Sequence, residues 1–265
     1  MTSRLPDHEI AGRGPFTIYL LHGAYGSRQY FADLIAALVG HGYRVVAWDA
    51  PGYGLSELPT PYSIDMAASA CADLVAATGT RTNVLMGHSM GGIIAPLAAV
   101  KLGPDRVQGL VVSATVGSFS SKSKEDQRVF LEERIAPLAQ GKTLSAAAEP
   151  LLRTMLAPGS KGPMVDRVLQ VAMATRTETF VAAINAIVDY EGAPTLARVA
   201  VPTLAIAGEL DTVGRPAQMQ ALANAIAGAE FVSVRAAAHY AWAEQPAEFN
   251  RALLDFLSRR IGAIK

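Results

Sequence analysis

The stretch Asn83-Val84-Leu85-Met86-Gly87-His88-Ser89-Met90-Gly91 decides the reading of this chain. A short apolar run leads into a serine set between two glycines, and Gly92-Ile93-Ile94-Ala95-Pro96-Leu97-Ala98-Ala99-Val100 follows as a helical pattern. A strand-turn-helix elbow of this tightness strains the backbone of its central residue. A side chain on either flanking position would collide with the adjoining strand or helix, so glycine is needed there. The same turn aims the N–H groups of the helix N-terminus at the serine hydroxyl, where they can meet developing negative charge. Gly-x-Ser-x-Gly is a weak pattern on its own, since a small polar loop would also satisfy it. The flanking strand and helix carry the reading.

Outward from the elbow, apolar runs at 16–21, 44–48, 83–86, 109–113, 203–207 and 230–234 read as strands. They are near-continuous in apolar character rather than alternating, as parallel strands covered on both faces are. Helical patterns lie between them. Ile64, Ala68, Cys71 and Val75 share one helical face behind an N-cap at Ser63, and Phe249, Leu253 and Phe256 form a stripe after Pro246. The alternation predicts an α/β chain with a mostly parallel, doubly wound sheet. It breaks between 113 and 202. There a polar segment, 118–127, precedes helical patterns at 128–138, 144–156, 164–174 and 177–189. Residues 116–194 are expected to form a helical cap inserted between two strands of a core made of 1–115 and 195–265.

Composition narrows the classes of function. Half of the 265 residues are hydrophobic, enough for a large core. Lys plus Arg equals Asp plus Glu at 23 each, without basic runs, which argues against nucleic acid and anionic membranes as partners. The polar start MTSRLPDHEI lacks the apolar core of a signal peptide, no apolar run reaches the length of a membrane span, and Cys71 is the one cysteine. These features predict a soluble, cytoplasmic protein with no internal disulfide, and they leave a homodimer open. Gly141-Lys142-Thr143 lacks the upstream glycine and strand of a phosphate loop, Gly52-Tyr53-Gly54 lacks the third glycine of a dinucleotide fingerprint, and no His/Cys/acid cluster has metal-ligand spacing. No cofactor and no metal are expected.

A serine hydroxyl needs a base to become a nucleophile. His8 precedes the first strand, His22 heads a glycine-containing loop, His41 sits in a turn, and His88, beside the serine on a strand end, points away from it. His239 remains, just past the strand at 230–234, at the sheet edge where ligands gather in open α/β folds. A carboxylate must fix its tautomer. Gly208-Glu209-Leu210-Asp211 offers two at the same edge. Asp211, carried further into the loop, is preferred, with Glu209 as the rival.

With Ser89, Asp211 and His239 in that order, the chain resembles the α/β-hydrolase fold superfamily over nearly its whole length. Leu21-His22-Gly23-Ala24 is similar to that family's His-Gly loop, Asp49-Ala50-Pro51-Gly52-Tyr53-Gly54-Leu55-Ser56 to its structural Asp-x-Pro-Gly-x-Gly-x-Ser loop, and Ala243-Glu244-Gln245-Pro246-Ala247-Glu248-Phe249 to the tail after its histidine. The resemblance implies an oxyanion hole formed by Ala24 N–H and Met90 N–H. Ala238 stands where many relatives have glycine, which should loosen the histidine loop slightly. The short stretch before the first strand predicts that the opening antiparallel hairpin is shortened or absent.

The implied reaction is acyl transfer to water. Serine at 89 disfavours the epoxide-hydrolase and haloalkane-dehalogenase branches, which carry aspartate there. The run Ala174-Thr175-Arg176-Thr177-Glu178-Thr179-Phe180, with Asp189-Tyr190-Glu191 after it, resembles the lid end of enol-lactonases and small carboxylesterases. That favours a small apolar ester or lactone as substrate. Carbon–carbon bond hydrolysis of a ring-cleavage diketone is the enzymatic alternative, and non-enzymatic small-ligand binding the alternative of another class. Tyr25 and Trp242 are candidates to line the pocket, or else ordinary packing residues. Phe130, Met155, Met164, Met173 and Phe180 would make an adaptable apolar lid or the lid's own core.

Overall fold

The computed structural model describes residues 5–119 and 122–262. The first four residues of the polar start, and positions 120 and 121 of the polar segment, lie outside them. Seven strands form one sheet: β1 (His8–Ala11), β2 (Phe16–Leu21), β3 (Arg44–Trp48), β4 (Thr82–His88), β5 (Gly109–Ser113), β6 (Thr203–Gly208) and β7 (Glu230–Val234). Their spatial order is β1-β3-β2-β4-β5-β6-β7. β1 pairs antiparallel with β3, and every other pair is parallel. Every residue of β2, β5 and β6 is buried, which is why those strands read as unbroken apolar runs.

β1 is the strand that sequence patterning does not reveal. It is four residues long and half exposed, and two left-handed glycines, Gly12 (φ 71°) and Gly14 (φ 127°), cut it from β2. The opening hairpin is thus shortened to one edge strand rather than lost. β4 also runs further than its apolar core suggests, through His88 to the serine.

Helices α1 (Ala32–Gly40), α2 (Ile64–Thr78) and α3 (Met90–Leu102) cross between the first strands, and α9 (Pro216–Asn224), α10 (Ala241–Glu244) and α11 (Pro246–Phe256) accompany the last two. Ser63 Oγ accepts from Met66 N–H at 3.1 Å, capping α2 at a gain of about 1 kcal/mol. α3 is apolar on all sides because it is packed on all sides, including against α2 and the sheet. Cys71 lies in this layer fully buried, and burial pushes its thiol up to about 12, so it is a packing residue rather than a nucleophile.

Between β5 and β6 the chain leaves the sheet and forms α4 (Lys124–Ala139), α5 (Leu144–Thr154), α6 (Pro163–Met173), α7 (Thr177–Asp189) and the short α8 (Ala193–Leu196). The cap is tied to the core by polar contacts. Thr179 Oγ1 donates to Gly52 O at 2.8 Å, and Arg176 Nη2 donates to the same carbonyl. Among the described residues no single helix is long and apolar enough to cross a membrane; the pair α6 and α7, apolar enough when taken together, is bent by 97°.

Candidate active site

Ser89 sits between β4 and α3 with φ 52° and ψ −115°, a conformation that costs a non-glycine residue about 1–3 kcal/mol. The neighbours explain why it persists. Ser89 N–H donates to Ser113 O at 2.9 Å, and its carbonyl accepts from Thr115 Oγ1 at 2.8 Å and Gly92 N–H at 2.9 Å. A Cβ at Gly87 would stand 2.0 Å from Gly91 O, and one at Gly91 would stand 2.1 Å from Leu21 O. Both flanking glycines are therefore obligatory. The backbone is clamped while the side chain faces an open chamber.

His239 lies in the loop after β7. Its ring Nδ1 is 3.0 Å from Asp211 Oδ2, and both side chains are out of contact with solvent. The other carboxylate oxygen, Oδ1, accepts from Val213 N–H at 2.8 Å and Gly214 N–H at 3.1 Å. Burial alone would raise the Asp211 pKa. The neighbouring imidazole and the two amides outweigh it and hold the carboxyl below the usual range. An ionised Asp211 accepts a hydrogen bond from Nδ1–H and so leaves Nε2 as the unprotonated ring nitrogen. No hydrogen bond joins Nε2 to Ser89 Oγ among the described residues, but both side chains wall one recess. Glu209 turns to solvent and accepts Ala236 N–H at 2.9 Å, away from the imidazole.

The loop carrying His239 is held from three sides. His239 N–H donates to Met155 O in the cap at 3.0 Å. Glu244 Oε1 accepts from Ala238 N–H at 3.1 Å and Tyr240 N–H at 3.0 Å, gripping the residues on both sides of the histidine. Its Oε2 reaches into the cap, to Ala157 N–H and Ser160 Oγ, both at 2.7 Å. Glu244 belongs to the family-like tail, but nothing in its sequence context shows that it joins cap and histidine. Ala238 causes no strain in the place of glycine, because the left-handed residue of this loop is Ala236 (φ 54°). The close approach falls on Gly208, whose Cβ would lie 2.0 Å from Ala238 O.

The His-Gly loop presses on the serine from the other side: a Cβ at Gly23 would lie 2.9 Å from Ser89 Cβ. His22 fixes this loop. Its Nδ1 is 2.8 Å from Gly23 O, and its Nε2 accepts from Ala50 N–H at 2.9 Å, which makes Nδ1 the protonated nitrogen. Burial lowers the His22 pKa to about 4, so the ring is neutral. Gly23 N–H donates to Tyr30 Oη at 2.6 Å, and Tyr53 Oη donates to Ala24 O at 3.0 Å. The amides of Ala24 and Met90 make no hydrogen bond among the described residues. Met90 directly follows Ser89 in the chain, and Ala24 follows Gly23, the residue that presses on Ser89.

The chamber in front of Ser89 holds about 410 Å³ and runs under α4 and α5, with Phe130 and Met155 in its walls. A recess of about 40 Å³ beside it takes in Ala24, Tyr25, His239 and Tyr240. Tyr25 lines that recess and stacks on Phe180 with 4.4 Å between ring centroids. Trp242 does not border the chamber. It lies behind the site, 1% exposed, its ring 4.3 Å from His88 and 5.2 Å from Phe31. Its nearness in sequence to His239 reflects a supporting layer, not a lining position. Arg134, from α4, lines both cavities, and no periodicity in the sequence marks it. His88 shares the recess, its ring 4.8 Å from that of His239, and burial keeps it neutral.

Comparisons with known proteins bear on the family and the fold. A sequence profile described as "Alpha/beta hydrolase family" matches residues 18–252. The protein named as carbamate hydrolase RutD in Pseudomonas savastanoi pv. phaseolicola is 29% identical, over 91% of this chain and 93% of its own. The pimeloyl-[acyl-carrier protein] methyl ester esterase of Neisseria meningitidis serogroup C is 26% identical over 91% and 93%. The crystal structure of the enol-lactonase from Burkholderia xenovorans LB400 superposes with a TM-score of 0.84, at 25% identity, covering 96% of each chain. With this sheet order, this elbow and a family match spanning most of its length, the chain belongs to the alpha/beta hydrolase family.

Proposed function

We propose that this protein is a serine hydrolase that cleaves a small carboxylic ester or lactone through an acyl-enzyme, with residues 116–194 as the lid over its site. The observation that carries the reading is the buried His239–Asp211 pair, whose His239 lines the same recess as a serine held in a strained elbow. His239 Nε2 takes the hydroxyl proton as Ser89 Oγ attacks the carbonyl carbon, and Asp211 stabilises the imidazolium that forms. The amides of Ala24 and Met90 receive the oxyanion, each worth about 3–4 kcal/mol in comparable sites. Collapse expels the alkoxide, which takes the proton from His239. Water, deprotonated by the same imidazole, then attacks the acyl-serine and releases the acid. The names of two relatives, an enol-lactonase and a methyl ester esterase, support an acyl–oxygen bond as the target. The RutD name adds a carbamate carbonyl, open to the same attack, to the substrates worth assaying.

The test is a fluorophosphonate label followed by mass spectrometry, alongside a screen of short esters, lactones and carbamates. Labelling at Ser89 and turnover lost in Ser89→Ala are the expected results. An unlabelled protein that turns over none of these substrates would refute the reading and leave small-ligand binding in its place.

A further inference from the structure

The cap places a charge in the chamber that the acyl chemistry does not use. Arg134 is 7% exposed, yet it lines both the chamber that begins at Ser89 and the recess beside it. Its guanidinium lies over the Phe130 ring, 3.8 Å from the centroid. Nη1 donates to Phe130 O at 3.3 Å and to Glu133 Oε2 at 3.2 Å, while Nε and Nη2 have no hydrogen-bond partner among the described residues. The Glu133 side chain is 54% exposed, so water screens most of its attraction. A guanidinium does not shed its proton to escape burial. A buried cation with open donors is costly unless an anion completes it.

The surroundings reinforce the point. Lys122 walls the same chamber, its Nζ 4.8 Å from the Phe119 ring centroid, and Arg215 is a third cation on the wall. Burial holds the Lys122 ammonium below its usual range; Asp126 opposes this, and the nearby positive charges of Arg215 and Arg134 add to it. The two carboxylates of the lining, Asp126 and Glu133, sit toward solvent, and Asp126 is engaged by Ser123 Oγ at 2.7 Å. Arg134 is thus the buried cation of the chamber, with Lys122 half-buried and Arg215 exposed on the same wall, and among the described lining residues no carboxylate is buried beside it.

We propose that the substrate carries a carboxylate besides its scissile carbonyl, and that the open Nε and Nη2 donors of Arg134 receive it. The planar fork of Nε–H and Nη2–H matches the two oxygens of a carboxylate. A chamber of about 410 Å³ suits a half-ester or lactone of a short dicarboxylic acid. The proposal rests on the serine-hydrolase reading and sharpens it.

Monoethyl glutarate and ethyl pentanoate, similar in length and differing in charge, separate the alternatives. The expected result is a kcat/KM preference for the anionic ester that drops about 10- to 100-fold in Arg134→Gln, mostly through KM, with partial recovery in Arg134→Lys. A readout independent of turnover is calorimetric titration of Ser89→Ala with glutarate, with binding expected and lost when Arg134→Gln is added. If Arg134→Gln does not fold, competition by glutarate against ethyl pentanoate in the unmodified enzyme decides, with pentanol as the neutral control. Equal use of both esters together with no glutarate binding overturns the proposal. Inorganic phosphate displacing glutarate at equal concentration overturns the carboxylate assignment. Should neither ester turn over and Ser89 resist fluorophosphonate, the hydrolase reading fails, and the glutarate titration still decides the anion site.

Discussion

The two walls of the chamber are built differently. The rim of the sheet is set by backbone: its loops approach so closely that the positions of Gly23, Gly87, Gly91 and Gly208 admit no side chain without collision. The cap is set by side chains on its helices, and three of its glycines, Gly141, Gly159 and Gly162, have open space where a Cβ would go, while its two tight ones, Gly117 and Gly192, lie where it joins the core. The first wall holds Ser89, His239 and Asp211 at one geometry. The second can change what it presents, by substitution on a helix face, without disturbing the fold. On the proposed function, the chemistry would belong to the rim and the choice of substrate to the cap.

Ser89→Ala breaks the comparison most sharply. Removing one oxygen from the rim should lower ester kcat/KM by at least about 10⁴-fold and leave the melting temperature nearly unchanged. Residual activity within about 10-fold of the parent, measured on the same ester, would move the chemistry off the rim altogether. Glycine replacement should split the two walls next. Gly91→Ala must displace Leu21 O from 2.1 Å, so a loss of more than about 3 kcal/mol in urea unfolding is expected. Gly159→Ala meets no atom and costs only its left-handed backbone (φ 79°), about 1–2 kcal/mol. Equal losses at the two positions would remove the distinction.

The same distinction explains what sequence reading reaches. Six of the seven strands are legible as apolar runs, five of them because they are buried along nearly their whole length, and β7 from Phe231, Val232 and Val234 although only Val234 is fully buried. Helices α5, α6 and α7 are legible to within a few residues because one face of each is apolar, and α4 from Phe130, Leu131, Ile135 and Leu138 in an otherwise polar sequence. The convergence of Ser89, His239 and Asp211 is legible as a placement, because a tight turn forces glycines around the first and strand ends frame the others. β1 escapes because four half-exposed edge residues carry no period. Arg134 escapes because α4 is polar along most of its length, with Glu132 and Glu133 beside it turned to solvent. Only the docking of α4 over Ser89 distinguishes one of its charges from another. Trp242 misleads for the complementary reason, since adjacency in sequence to a reacting group does not say which side of the sheet edge a ring takes.

Acid stability sharpens the account of the rim. His22 is buried and neutral with its pKa lowered to about 4, against 6.5 in the unfolded chain. Between those values the unfolded chain binds more protons than the folded one, so stability falls as pH drops through this window and is intact above it. The loss reaches about 3 kcal/mol by pH 4, and His88, also buried and neutral, adds to it with the same sign. Melting curves from pH 7.5 to 4 should show this decline, and His22→Asn should be less stable at pH 7.5 but flatter in pH. A parent protein whose melting temperature holds constant to pH 4.5 would contradict the neutral-histidine staple.

Glu244 is the point where the two walls meet, and it offers the finest cut. Its carboxylate accepts four hydrogen bonds, two from the amides flanking His239 and two from the cap. In Glu244→Gln one oxygen becomes an amide nitrogen, which cannot accept, so either both loop amides lose their acceptor or Ala157 N–H does, with the Ser160 hydroxyl turning to accept from the new N–H. If the pair at 238 and 240 goes, the imidazole drifts from its station. We expect kcat to fall about 10-fold with KM little changed, together with a drop of a few degrees in melting temperature. Ser160→Ala removes a single bond on the cap side and leaves the grip on the histidine loop in place. It should lower stability by about 1 kcal/mol and leave kcat within about 2-fold. A Ser160→Ala enzyme that loses as much kcat as Glu244→Gln would mean that cap and histidine move as one body, and that the division between a rigid rim and a changeable cap stops short of this carboxylate.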